Sequence, residues 1–228
     1  MKYIVIGLGN YGQVLAKELT ALHHEVIGVD RDPANVEMVK DSISTTFILD
    51  ATNEASLSIL PLRSVDVVVV AIGEAFGESV KVVAMLKNSG VKKIYARALN
   101  PVHKSVLEAF DIDMVLTPEQ DAARALVLRL DMRISIESMQ LDDEHYIMKF
   151  QLPTSLVGLK VKDLSLEKEF DLKIISLLNG QRRTNALGIW ISDRTIVENL
   201  DMDYLLGEGD YLVCYGKYQN FRLFWRSM

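Results

Sequence analysis

A single cysteine, Cys214, occurs in the 228 residues. One thiol excludes an internal disulfide and a cysteine-ligated zinc site. Its place in the apolar run Tyr211–Tyr215 reads as a buried structural thiol, in keeping with a reducing compartment. Positive charge is in short supply too. Lys+Arg number 25 against 31 Asp+Glu, a net charge of −6 at pH 7, with a pI near 5.3. That balance argues against holding a nucleic-acid polymer through bulk positive charge. Long apolar runs are missing as well. The longest uninterrupted stretch, Val67 to Ile72, falls far short of the roughly 18 residues a spanning helix needs. The opening run Tyr3–Ile6 is too short for a signal-peptide core, so a soluble, cytosolic protein is expected. No G-x-S-x-G elbow, H-E-x-x-H pair or G-K-[ST] phosphate loop occurs.

At about 150 residues per domain, the length allows one large domain or a medium one with a small companion. A 49% hydrophobic and 25% charged composition is that of a globular chain able to bury a core. Strands are expected at Tyr3–Gly7, Val26–Val29, Thr46–Leu49, Val65–Ile72, Lys93–Ala98 and Met114–Thr117. Helices are expected between them, near Tyr11–Leu22, Pro33–Lys40, Glu54–Leu60, Glu74–Asn88 and Val102–Phe110. Such alternation implies βαβ units on a doubly wound parallel sheet. Val67–Val70 is apolar without alternation, as suits a strand covered on both faces.

Residues from Glu119 to Arg133 read as a helix with apolar residues around nearly its whole circumference. Such a helix needs covering on more than one side, either as a last layer on the sheet or against another subunit. Beyond it, short strands are expected at Ile134–Leu141, Tyr146–Gln151, Lys173–Leu178, Gly188–Ser192 and Tyr211–Gly216. Asn179-Gly180 is a hairpin signal, and Arg182-Arg183 reads as a solvated turn. The expected layout is a nucleotide-binding domain over 1–118, a linking helix over 119–134 and a smaller α+β domain over 135–228.

Gly7-Leu8-Gly9-Asn10-Tyr11-Gly12 matches G-x-G-x-x-G behind a strand and at the start of a helix, the context a dinucleotide fingerprint requires. Gly7 permits the tight turn, Gly9 the approach of a phosphate, and Gly12 the packing of helix on strand. The helix start offers free N–H groups and a positive dipole end. Asp30 ends the second strand, 23 residues after Gly7, where an acid accepts ribose hydroxyls and repels a 2′-phosphate. The neighbouring Arg31 weakens that exclusion of NADP. A dehydrogenase also needs a proton donor or acceptor beside the nicotinamide. His23, His24, His103 and His145 read as surface residues without a catalytic partner, so a nucleotide sensor is a better reading than a catalyst.

These residues, with Asp50-Ala51-Thr52-Asn53-Glu54, Val70-Ala71-Ile72-Gly73, Ala96–Asn100, Thr117–Asp121, Leu152-Pro153 and Gly207–Val213, resemble the TrkA/KtrA-type regulatory subunits of Trk/Ktr potassium uptake systems. One copy of each domain resembles the short form of that family. The resemblance implies an RCK (regulator of potassium conductance) N-terminal domain of Rossmann type, a crossover helix and an RCK C-terminal domain. It implies no catalysis, and binding of ATP or ADP, or of NAD or NADH, as the gating signal. It implies assembly with itself, as a dimer of dimers or an octameric ring, on the cytoplasmic face of a potassium-translocating membrane subunit. It also implies roles for residues. Gly7, Gly9, Asn10, Tyr11 and Gly12 match the phosphate turn, Asp30 the ribose acid beside Arg31, and Asp50, Ala51 and Thr52 the adenine side. Ala71, Ile72 and Gly73 match the loop after the fourth strand. Arg97 takes the place of a basic residue that reaches phosphates, and Glu119 that of an acid near the ribose or a bound cation.

From the residues alone, Asp50 serves equally as a helix cap, Arg97 as a strand-end charge and Glu119 as a dipole partner. Asn10 departs from the family, many of whose members carry arginine there. An amide supplies no charge to a terminal phosphate, which favours ADP or NAD(H) over ATP. Two other readings stay open, an NAD-dependent oxidoreductase and a cyclic-dinucleotide receptor acting through the C-terminal domain.

Overall fold

The structure is a computed structural model that describes residues 1–132, 136–184 and 190–228. The chain divides into two compact units, Met1–Glu119 and Gln120–Met228.

The first unit alternates strand and helix throughout. Six strands, β1 (Lys2–Ile6), β2 (Glu25–Asp30), β3 (Thr45–Ile48), β4 (Val67–Val70), β5 (Ile94–Arg97) and β6 (Met114–Leu116), form one parallel sheet in the order β3-β2-β1-β4-β5-β6. Helices α1 (Asn10–Ala21), α2 (Pro33–Glu37), α3 (Glu54–Leu57), α4 (Phe76–Asn88) and α5 (Pro101–Ala109) connect them. The order reverses at β1, so the chain passes to one side through β2 and β3 and to the other through β4, β5 and β6. This is the doubly wound α/β arrangement, whose ligands sit outside the carboxyl ends of the strands at the reversal. β4 is buried at all four valines, as a strand covered on both faces must be. α2 and α3 are shorter than their sequence patterns suggest, because their later apolar residues settle into turns.

The second unit contains a five-stranded antiparallel sheet ordered β10-β9-β11-β8-β7. Its strands are β7 (Ile136–Gln140), β8 (His145–Gln151), β9 (Lys173–Thr184), β10 (Trp190–Ile196) and β11 (Tyr211–Lys217). The helices are α6 (Pro118–Met132), which begins in the first unit, the short α7 (Leu166–Phe170) and α8 (Tyr218–Ser227). Phe221 and Phe224 of α8 are fully buried with Phe150 of β8. The C-terminal segment is therefore part of its own unit's core. Cys214 is buried, and burial pushes its thiol up to about 12.

Three expectations change here. Asn179-Gly180 makes no turn: β9 runs through it to Thr184, pairing Gly180 with Arg194. The glycine is required by a distant neighbour, because a Cβ there would lie 1.9 Å from the Gly209 carbonyl oxygen. Arg182 and Arg183 consequently lie in a strand, not a turn. α6 is covered on one side only: Leu128 packs against the second unit's core, whereas Leu126, Val127 and Leu130 are 54%, 60% and 67% exposed in this chain. Residues 133–135 and 188–189 of the expected helix and strands lie outside the described residues.

Candidate functional site

β1 ends in a turn that only glycine can make. Gly7 adopts φ +94°, and a Cβ on it would lie 3.0 Å from the Ile72 amide nitrogen. The Gly7 N–H donates to the Val29 carbonyl, and the Leu8 N–H donates to Asp30 Oδ2 at 2.6 Å. The chain then enters α1 with Gly9 as its N-cap, where no side chain bonds the helix start. A Cβ on Gly12 would lie 1.9 Å from the Gly7 carbonyl oxygen, so α1 rests directly on the turn. Gly9 differs from both. Its φ of −65° and ψ of −174° are open to any residue, and a Cβ on it meets nothing within 4 Å. Neither packing nor backbone conformation requires glycine there.

The acids at the ends of β2 and β3 are fixed by local hydrogen bonds. Asp30 Oδ1 accepts from the Asp32 N–H at 2.8 Å, and Oδ2 also accepts from Asn35 Nδ2 at 3.2 Å. Asp30 thereby ties the glycine turn to the start of α2. Asp50 Oδ1 accepts both the hydroxyl and the amide of Thr52. The hydroxyl, then the amide, hold its carboxyl below the usual range. Asp50 does not cap α3; Asn53 does, accepting from Ala55 and Ser56.

Across the sheet reversal, Arg97 ends β5 and is only 17% exposed. Gly73 makes room for it, since a Cβ there would lie 2.7 Å from the guanidinium. The guanidinium sits 5.6 Å from the Tyr11 ring centroid and pairs with Glu119 in the first turn of α6. Burial pushes the Glu119 carboxyl up, but the Arg97 hydrogen bond and charge and a backbone amide outweigh it and leave the group low. A second pair crosses between the halves, Arg31 to Glu78 of α4 at 2.8 Å.

Together these groups line a cleft of about 680 Å³, within the usual size of a small-molecule site. Gly7, Gly9, Asn10 and Tyr11 form its floor, with Asp30, Arg31, Asp50, Ala51 and Thr52 on one side. Ala71, Ile72, Gly73, Arg97 and Glu119 form the other. Of the residues expected to form a site, Gly12 alone does not line it; it acts underneath, through its contact with Gly7.

The TrkA-N domain family matches residues 3–118. The chain belongs to the TrkA-N family. The Ktr system potassium uptake protein C of Bacillus subtilis is 30% identical over 180 residues, covering 79% of this chain and 81% of that protein. The RCK domain of GsuK shares the fold over 96% of this chain, with a TM-score of 0.61 and 14% identity, and this chain spans 46% of that one. The NAD(P)-binding domain of an exopolyphosphatase-related protein from Archaeoglobus fulgidus is 26% identical, with a TM-score of 0.50. It covers 56% of this chain and 96% of its own.

Within the TrkA-N domain the cleft has members that the fingerprint does not reveal. Asp32, Asn35, Glu74 and Glu78 line it. Asp32 also caps α2 through the Ala34 N–H, a role visible from Asp32-Pro33. Glu78 is signalled only by its place in the first turn after β4. The histidines are not all on the surface. His103 is fully buried, accepts from the Leu99 N–H through Nδ1, and packs edge-on against Phe76. None of the four lines the cleft. Among the described residues, no group of three or more His, Cys, Asp or Glu is arranged to hold a metal ion. No helix among them is long and apolar enough to cross a membrane.

Proposed function

We propose that this chain is the nucleotide-binding regulatory subunit of a potassium uptake system, and that an adenine nucleotide in the cleft is its signal. The carrying observation is Gly9: a glycine that the fold itself does not need, at a helix start with no side-chain cap, opening on the cleft. A phosphate needs that space and those N–H groups. Asp30 Oδ2 already accepts from Leu8 and Asn35, whereas Oδ1 accepts only from Asp32 and keeps a lone pair for a ribose hydroxyl. The nucleotide class is ATP, ADP, NAD or NADH. The likeness to an NAD(P)-binding domain supports a nucleotide ligand, and the Ktr relative supports potassium uptake as the process.

The proposed signal passes through Arg97. Ligand phosphates compete with Glu119 for the guanidinium, and Glu119 belongs to the first turn of α6. Ligands that differ in phosphate charge release Glu119 to different extents, and only such a difference shifts a two-state gate. The exposed Leu126, Val127 and Leu130 give α6 an apolar surface for a second copy of the chain, as a ring on the cytoplasmic face of a potassium-translocating membrane subunit requires. A regulatory role accounts for a cleft in which Asp30, Asp32, Asp50, Glu78 and Glu119 are already engaged in bonds to the protein.

The test is a thermal-shift panel of ATP, ADP, NAD and NADH on the whole chain. A ligand at a hundred times its Kd stabilises by about 2.7 kcal/mol, so at least one member should raise Tm by several degrees. No shift with any of them contradicts the reading. Potassium uptake in cells carrying the subunit with its transporter, compared with the Gly9→Ala variant, then tests the regulatory role.

A further inference from the structure

His103 is fully buried, yet it does not line the cleft. It is the third residue of α5, and two of its bonds close the start of that helix. Its backbone N–H donates to Oδ1 of Asn100, the N-cap, at 2.9 Å. Its ring Nδ1 accepts the Leu99 N–H at 3.3 Å. The two bonds run in opposite directions, as in a capping box, but the side chain that reaches back is titratable. Accepting at Nδ1 places the neutral ring's proton on Nε2. That nitrogen is buried and meets no hydrogen-bond partner among the described residues.

A second proton has no place in this arrangement. On Nδ1 it would set donor against donor at the Leu99 amide, and it would add positive charge at the positive end of α5. Nothing on the surrounding elements offsets that charge. Glu74 precedes α4, Glu78 and Lys81 lie in its first turns, Arg97 ends β5, and Lys104 and Glu108 belong to α5. Glu78 is paired with Arg31, Arg97 with Glu119, and Lys104 with Glu108. None of them acts on the imidazole, whose pKa is moved down from 6.5 by burial alone. A protonated ring must therefore leave its site. It would give up the Leu99 bond and the edge-on contact with Phe76, whose ring centroid is 4.9 Å away. Both contacts lead to the cleft. Phe76 opens α4 directly after Gly73, Glu74 and Ala75, which line the cleft, and Leu99 follows Arg97, which also lines it, by two residues.

Resting on the nucleotide reading above, we infer that the proton is a second effector of this chain: protonation of His103 releases the β4–α4 and β5–α5 connections together and weakens ligand binding in the cleft. The neutral ring favours the closed wall and the charged ring the open one, so falling pH shifts the population toward the open form. Ligand and proton oppose one another reciprocally, and a bound nucleotide makes His103 harder to protonate. His103 is in this account a positioning residue, acting on the cleft through Phe76 and Leu99.

The experiment compares the whole chain with its His103→Gln and Phe76→Ala variants at pH 7.5 and 5.5. Glutamine keeps an acceptor for the Leu99 N–H and does not titrate. Hydrogen exchange, corrected for the intrinsic effect of pH, reads the wall without ligand. Segments 72–76 and 97–100 should exchange faster at pH 5.5 in the wild type and not in His103→Gln. Phe76→Ala, which uncovers the ring, should open at a higher pH than the wild type. Equilibrium titration with NAD⁺ and with ADP reads the coupling. The affinity lost between pH 7.5 and 5.5 should be about two- to tenfold greater in the wild type than in His103→Gln, tenfold being the limit for a group titrating at 6.5. The terminal phosphate of ADP titrates in the same range, but equally for both proteins. Exchange that ignores pH in the two segments, or a loss of affinity that persists undiminished in His103→Gln, overturns the proton account and leaves nucleotide binding intact. Failure of both nucleotides to bind at pH 7.5 overturns the nucleotide reading and the coupling with it, even where exchange responds to pH.

Discussion

Gly9 and Gly12 lie three residues apart in one motif, and the structure assigns them opposite kinds of necessity. Alanine at position 12 would put a methyl 1.9 Å from the Gly7 carbonyl oxygen, a backbone atom held between β2 and β4. α1 must move off the sheet, and such overpacking costs about 1–3 kcal/mol. At about 4 °C per kcal/mol for a domain of this size, Gly12→Ala should melt about 4–12 °C below wild type. Alanine at position 9 meets nothing. It forfeits several tenths of a kcal/mol as a poorer N-cap and regains about 0.4–1 kcal/mol by stiffening the unfolded chain. Its Tm should stay within about 4 °C of wild type. Its methyl nevertheless fills the proposed phosphate seat, and affinity should fall at least about tenfold, or 1.4 kcal/mol. Scanning calorimetry of both variants, with and without the best ligand from the thermal panel, reads both effects. Wild-type ligand stabilisation in Gly9→Ala would refute the reasoning. So would a large loss of unliganded stability, because the glycine would then serve the fold.

Asp210 is 2% exposed and accepts from the Gly180 and Gly207 amides and the Tyr204 hydroxyl. Asp210→Ala leaves three half-buried donors without their carboxylate partner and should cost about 1–3 kcal/mol in denaturant titration. Gly180→Ala drives a methyl into the Gly209 carbonyl and should cost about 1–3 kcal/mol in the same titration. Burial lowers the His103 pKa from its ordinary 6.5. The unfolded chain then takes up the proton first as pH falls. The stability this group supports is complete above pH 6.5 and is lost progressively below it. His103→Asn, which retains an acceptor for the Leu99 N–H, should flatten that decline in melts between pH 5 and 7.5.

The parts of this molecule legible in the sequence are those governed by nearby residues. The glycine turn, Pro33 at the start of α2 and the four valines of β4 each follow from local chemistry, and the alternation of strand and helix carries the topology. What escaped is set by partners distant in sequence. Nothing local marks Gly180 as the neighbour of Gly209, so Asn179-Gly180 imitates a hairpin. Nothing local marks His103 as buried, because its covering residue, Phe76, comes from another helix. Arg97 and Glu119 were each recognisable as strand-end and helix-start charges, but their pairing requires β5 and α6 to meet across the cleft. The apolar circumference of α6 signals covering without naming what provides it, and in the single chain Leu126, Val127 and Leu130 remain open.

The most direct measurement is a crystal structure of the chain grown with its tightest-binding nucleotide. The account predicts ribose hydroxyls within hydrogen-bond distance of the Asp30 carboxylate, with the phosphates against the Gly9 amide at the start of α1. A nucleotide bound elsewhere, or one whose ribose leaves Asp30 untouched, would contradict it.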